Sequence, residues 1–144
     1  MPTSARRHRL VGLADTSVAV PLVITDHQQH GLVDGQLGHE RLGLSGHAAF
    51  ETYSVITRLP GAARLSPAAA ARVLTHNFSG SRFLPEREAS ELLARLPELG
   101  VSGGSVYDAL VGATAKHHDL ALWTRDSRAR EIYRALGVEV RFVA

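Results

Sequence analysis

The chain contains no cysteine, which removes disulfides, thiolate nucleophiles and cysteine-ligated zinc from consideration at once. That fits a reducing compartment, and the cytoplasm is the expected location. Lysine is almost absent too, Lys116 being the sole one among 16 basic residues. The positive charge is therefore arginine, whose planar guanidinium suits phosphate and carboxylate alike, so RNA and an acidic protein both fit as partners and neither is selected. No apolar run approaches the ~20 residues of a membrane span. The N-terminal residues carry arginines without the apolar stretch of roughly 7–15 residues that a signal peptide needs. Neither export nor membrane insertion is expected.

What is present is a globular composition. With 44% hydrophobic and 21% charged residues in 144, the chain has enough apolar material for one core and too little length for two. A single domain over residues 9–144 is expected, with residues 1–8 as a flexible arm. No linker, repeat or low-complexity tract interrupts it.

Strand and helix signals alternate along that domain. Residues 9–14 form a short apolar run that stops at Asp15, and residues 17–24 read as a helix with Pro21 in its first turn. A polar helical stretch over 26–37 precedes a second strand at 41–44 and a helix over 46–59 that Pro60-Gly61 stops. Ser66-Pro67 opens another helix, serine as cap and proline in the first position. Residues 81–84 are a third strand candidate, and Pro85 opens an amphipathic helix with Ala89, Leu92, Leu93 and Leu96 at helical spacing. After the glycines at 100, 103 and 104 come an apolar helix over 105–117, a strand at 120–123, an amphipathic helix over 127–136 and a strand at 138–143. Such alternation predicts an α/β fold: a three-layer α/β/α sandwich around a mostly parallel sheet of about five strands.

In a parallel sheet, ligands bind beyond the carboxyl ends of the strands. Asp15 ends the first strand and Asp126 follows the fourth, so both belong on that edge. Glu51 shares a helix flank with Ala48, Val55 and Leu59, and Asp108 lies in a helix that is apolar nearly all round; an acid in such surroundings is costly without a partner. Carboxylates gathered in one semi-buried site repel one another and shift toward protonation unless a cation neutralises them. Hard oxygen donors in that number suit Mg²⁺ or Mn²⁺ and not zinc. Each acid also has a purely structural use. Asp15 and Asp126 could cap the helices that follow, Ser105-x-x-Asp108 resembles a capping box, and Glu51 could pair with Arg58.

At DTS (15–17), AFETYSVITRL (49–59), GGSVYDALVGATA (103–115) and TRDSRA (124–129) the sequence resembles the PIN-domain family, and within it the VapC toxins. The resemblance covers essentially the whole chain outside the N-terminal arm. It implies that Asp15, Glu51, Asp108 and Asp126 are the metal-site acids, with Thr16, Ser17 and Thr124 as polar neighbours that orient water or phosphate. It also implies an endoribonuclease that uses Mg²⁺ or Mn²⁺ and water as nucleophile, usually a homodimer, inhibited by a small cognate antitoxin entering the groove. Arg125 could contact substrate phosphate or antitoxin carboxylate, a solvated surface arginine being the plainer reading.

Two histidine pairs, His27-x-x-His30 and His117-His118, lack the further ligands a zinc site needs and read as exposed helix residues. Trp123 reads as a strand flank, with base stacking as its alternative. No G-x-S-x-G elbow and no P-loop lysine is present. Two other function classes remain open: a non-catalytic RNA-binding or scaffold version of the fold, and a phosphoacceptor receiver-like domain. The second normally has an acidic pair near the first strand and a late lysine; residues 7–14 offer no such pair, and Lys116 falls on a helix.

Overall fold

The apolar run before Asp15 becomes β1 (Leu10–Ala14), an inner strand with a neighbour on each side. The structure is a computed structural model that describes residues 9–144, so the arm expected over residues 1–8 lies outside the described residues. After β1 come α1 (Thr16–Val23), α2 (His30–Leu37), β2 (Arg41–Leu44) and α3 (His47–Thr57). A 3-10 turn at Gly61–Ala63 leads to α4 (Pro67–Asn77), α5 (Glu86–Arg95) and α6 (Ser105–His117), and the chain finishes with β3 (Leu122–Thr124), α7 (Arg130–Ala135) and β4 (Val140–Phe142). All strand pairings are parallel, in the order β2-β1-β3-β4.

Successive residues of a strand face opposite ways, and β1 divides the core accordingly. Leu13 packs with Val111 and Ala115 of α6 and Tyr133 of α7, whereas Ala14 packs with Val18 and Ala19 of α1 and Val33 and Leu37 of α2. Helices thus cover both faces, giving the expected α/β/α sandwich. From β1 the chain crosses to β2 on one side, and it later returns to β3 on the other. The carboxyl ends of β1 and β3 therefore form a topological switch point, where an open parallel sheet leaves a crevice for a ligand. A bulge helps to aim that edge: the β1–β2 register shifts between Leu10 and Leu13, around Gly12 at φ 148°. Only glycine serves there, since a Cβ would stand 2.6 Å from the Ala121 carbonyl oxygen.

The sheet has four strands where about five were expected. Residues 81–84 contribute a single parallel bridge, Arg82 to Ser45. The Leu44 N–H donates at 2.8 Å to the Ser81 hydroxyl, which itself donates to the Phe78 carbonyl, so a side chain occupies a ladder position that a backbone carbonyl would fill. Pro85 then caps α5 and ends the segment. The placement of Pro21 also differs: α1 starts directly after Asp15, which puts the proline inside the helix and past its first turn. There it removes the N–H that would have bonded the Ser17 carbonyl, and α1 ends two residues later. No helix among the described residues is long and apolar enough to cross a membrane.

Candidate active site

Asp15 leaves β1 in extended conformation and caps α1, its Oδ1 accepting the Ser17 N–H at 3.1 Å. The cap does not exhaust the carboxylate. The Ser17 hydroxyl also donates to Oδ1, while the hydroxyls of Thr124 and Tyr133 donate to Oδ2 at 2.5 and 2.9 Å. Asp15 is only 5% exposed, and burial pushes its pKa up against the lowering effect of these hydrogen bonds. Capping and site membership, alternatives in the sequence, coincide in one residue.

The same hydroxyls brace the loop after β3. Ser17 Oγ accepts the Arg125 N–H at 2.7 Å, and Thr124 Oγ1 accepts the Asp126 N–H at 3.0 Å. Asp126 does not cap the last helix, because α7 starts at Arg130 with Ala129 at the N-cap and no side-chain cap bond. Its Oδ1 instead accepts the Arg128 N–H at 2.9 Å in a local turn, with the exposed Arg128 Nε at 3.4 Å. The capping-box reading of Asp108 also fails, since Gly104 is the N-cap of α6 and no side chain caps it.

Freed from capping, Asp108 stands half-buried one turn into α6. Its pKa is pushed up to about 6, first by burial and then by the negative charges of Asp126, Asp15 and Glu51, with Arg128 opposing. Three acids that are scattered along the chain therefore act on the carboxyl of a fourth. Glu51 differs from its expected setting. It is exposed, because α3 buries Ala48, Thr52 and Ile56 and Glu51 falls one position off that stripe, and among the described residues it forms no ion pair with Arg58.

A cavity of about 400 Å³ opens at the switch point, lined by Asp15, Glu51, Asp108 and Asp126 together with Thr16, Ser17 and Arg125. Arg125 is not a fully solvated surface residue. It is half-buried, its Nε is buried without a hydrogen-bond partner, and it forms no ion pair among the described residues. Tyr133, His27 and Tyr107 also line the cavity, and sequence reasoning missed all of them as site residues. A signal existed for Tyr133, a tyrosine on the core-facing side of an amphipathic helix, since a buried hydroxyl needs a partner. Burial and the Asp15 carboxylate raise its pKa so far that it remains a donor throughout the ordinary pH range.

Of the four histidines expected as exposed helix residues, only His117 is one. His27 and His30 are half-buried, His27 Nδ1 accepting the Gln29 N–H at 3.0 Å and His30 Nδ1 donating to the Pro21 carbonyl at 2.8 Å. His118 likewise bonds the Phe83 carbonyl through Nε2 at 2.8 Å, while His117 is exposed. Trp123 keeps its strand role, donating to the Val11 carbonyl at 3.3 Å and packing on the α1 side of the core.

The acids fit a hard divalent cation in donor type and in charge: oxygen ligands only, mutually repelling, with one pKa raised by burial and then by three like charges. As they stand, no three His, Cys, Asp or Glu side chains among the described residues are close enough to ligate a single ion together.

Comparison with known proteins shows the chain's family. The family model of the PIN domain matches residues 13–135, a span that contains all four acids. Ribonuclease VapC27 of Mycobacterium tuberculosis is 45% identical over 126 residues, covering 88% of this chain and 92% of that protein. Ribonuclease VapC40 of the same organism is 44% identical over 131 residues, covering 90% and 96%. Among solved structures, FitAcB from Neisseria gonorrhoeae aligns with a TM-score of 0.61 at 19% identity, over 92% of this chain and 96% of that one. PAE2754 from Pyrobaculum aerophilum aligns at 0.54 and 22% identity, over 92% of each; these two likenesses bear on the fold alone. A family match across most of the chain, close relatives over nearly its full length and a shared fold set the receiver-like alternative aside, and the chain belongs to the PIN-domain family, alongside the VapC ribonucleases.

Proposed function

We propose that this chain is a divalent-metal-dependent endoribonuclease, the toxin of a toxin–antitoxin pair, acting on cytoplasmic RNA as a single domain over residues 9–144. The observation that carries the reading is the convergence of Asp15, Glu51, Asp108 and Asp126 on one cavity at the sheet's switch point, where burial and then the charges of Asp126, Asp15 and Glu51 push the Asp108 pKa up to about 6. A charge cluster of this kind is strained alone and relieved by a cation. The identity of 44–45% with two ribonucleases supports the substrate class.

Asp15 and Asp108 would hold Mg²⁺ or Mn²⁺, with Glu51 and Asp126 reaching it directly or through water. When bound, the cation supplies Lewis acidity, acidifying water and offsetting the negative charge that gathers on the phosphate during attack. The chain's own part is positional. Ser17, Thr124 and Tyr133 hold the Asp15 carboxylate by hydrogen bonds, and Ser17 and Thr124 also hold the backbone of residues 125 and 126. Arg125, which forms no ion pair among the described residues, would donate hydrogen bonds to a phosphate oxygen. Water attacks the phosphodiester in line, leaving a 5′-phosphate and a 3′-hydroxyl. A small antitoxin with charges complementary to the groove would block it, and homodimerisation is expected from the family resemblance.

Purified protein should cleave bulk RNA with Mg²⁺ or Mn²⁺ and stop when the ion is chelated. Full activity in excess EDTA would falsify the metal-dependent reading. Expression alone should arrest growth and co-expression of the small neighbouring gene should relieve it; an unopposed, soluble and harmless product would argue against a toxin.

A further inference from the structure

The acids stand between two cavities. One is the 400 Å³ crevice that holds Arg125. The other, of about 590 Å³, runs from the same acids to His47, Arg128 and Ile132. Glu51, Asp108, Asp126 and Tyr107 line both, so the carboxylates lie at the junction of a two-lobed groove. Each lobe falls within the roughly 300–1,000 Å³ of small-ligand sites.

The lobes differ in chemistry. At the second, the Tyr107 ring stacks on His47 with centroids 4.4 Å apart and planes 20° from parallel. Tyr107 nonetheless remains 51% exposed. An aromatic ring backed on one face and half exposed presents a preorganised surface for a flat partner, at little cost in side-chain freedom. At the first lobe, half-buried Arg125 lines the cavity and forms no ion pair among the described residues, so its guanidinium charge is left for an anion to complete.

We propose, resting on the ribonuclease reading, that the two lobes receive the nucleotides on either side of the scissile bond of single-stranded RNA. The Tyr107–His47 stack takes the base on one flank, and Arg125 takes a phosphate oxygen in the opposite lobe. A strand laid across the groove brings one linkage to the acids, and a base stacked on a protein ring is out of its own helix. The site thus selects an unpaired nucleotide that carries a base at one defined flank of the cut. Stacking tolerates any base, so the selection is for an open, stackable nucleotide more than for a letter.

The test uses the full chain and a set of single-stranded RNAs that share one cleavage site and carry one abasic nucleotide at successive positions around it. In the wild type, losing the base at one position adjoining the cut raises KM about tenfold with kcat little changed, the lower part of the range for one stacked base. Tyr107→Ala raises KM on intact RNA by a similar factor and abolishes the difference between intact and abasic RNA at that position. Tyr107→Phe retains the difference, and His47→Ala, which removes the backing ring, falls between. Equal sensitivity of the wild type and Tyr107→Ala to the abasic nucleotide at every position overturns the proposal, as does a loss confined to kcat. A Tyr107→Ala protein that cuts normally but no longer binds the product of the small neighbouring gene also overturns it, since the platform then belongs to a protein interface. Failure of the ribonuclease reading looks different, because the wild type then cuts none of these RNAs. In that event fluorescence anisotropy with the same oligonucleotides reads the platform alone: Tyr107→Ala must weaken binding of intact RNA and spare the abasic one, and an equal effect on both rejects it.

Discussion

Asp15 lies at a strand end with both carboxylate oxygens engaged by the hydroxyls of Ser17, Thr124 and Tyr133, whereas Asp108, a turn into α6, receives no hydrogen bond among the described residues and faces three other acids. Burial raises the pKa of both. The opposing influence differs: donors supplied by the fold lower that of Asp15, while like charges raise that of Asp108 further. The fold supplies hydrogen-bond donors to one carboxylate and like charges to the other. Substitutions at the two residues should therefore part company in their effect on stability.

The largest effect is expected from Asp108→Asn. Cleavage should fall at least about 100-fold, since a cation contributes several kcal/mol to the transition state. The metal-free protein should melt at the same temperature as wild type or higher, because a repelling charge is gone. Thermal melts should also show that the stabilisation wild type gains on adding Mn²⁺ is lost. Equal Mn²⁺-induced shifts in both proteins would remove Asp108 from the site.

Asp15→Ala should behave in the opposite way toward stability. It removes the α1 cap and leaves the buried Thr124 hydroxyl and the Tyr133 hydroxyl without their acceptor, a loss of about 2 kcal/mol in the metal-free protein and a larger one with Mn²⁺, since a proposed ligand is gone as well. Urea unfolding with and without Mn²⁺ measures it; an unchanged midpoint would show that water replaces the carboxylate at no cost.

A pH series sharpens the same comparison. Asp108 has a folded pKa of about 6 against an ordinary value of 3.8, so the folded protein binds this proton more tightly than the unfolded chain. The penalty for ionising it is absent below the ordinary value, grows through the interval and is fully present above the folded pKa. Metal-free wild type should therefore lose stability between about pH 4 and pH 6, by an amount that partial exposure reduces. Asp108→Asn should flatten this decline, and an identical slope in both proteins would assign it to other groups.

The smallest structural effect is expected at Glu51, which is exposed and unpaired among the described residues. Glu51→Gln should change stability by no more than about 0.5 kcal/mol. It should raise the Mn²⁺ concentration needed for half-maximal cleavage about tenfold, as loss of a supporting metal-site group does. Activity titrated against Mn²⁺ checks this, and an unchanged requirement would leave Glu51 outside the site.

Much of the fold was legible in the sequence because its signals are local. The apolar run ending at Asp15, the Ser66-Pro67 start of α4 and the amphipathic period of α5 each lie within a few residues of one another. Residues 81–84 misled because strand propensity is also local, while ladder membership depends on a partner: here the Ser81 side chain reaches Leu44 and displaces a backbone bond. Glu51 misled for a related reason, since apolar neighbours at helical spacing did not reveal that Ala48, Thr52 and Ile56 would define the buried stripe.

By itself, then, the sequence determined the parallel α/β alternation and the placement of Asp15 and Asp126 just beyond strand ends. Both follow from short-range periodicity and from the direction in which a parallel sheet must present its loops. The tertiary structure alone decided that Asp15 is buried among hydroxyls drawn from α1, β3 and α7, that Asp108 feels the charges of acids far away in the chain, and that Tyr107 stacks on His47. Desolvation, Coulomb interaction and ring stacking act through space over a few ångströms, and folding brings together groups whose separation along the chain carries no mark of it.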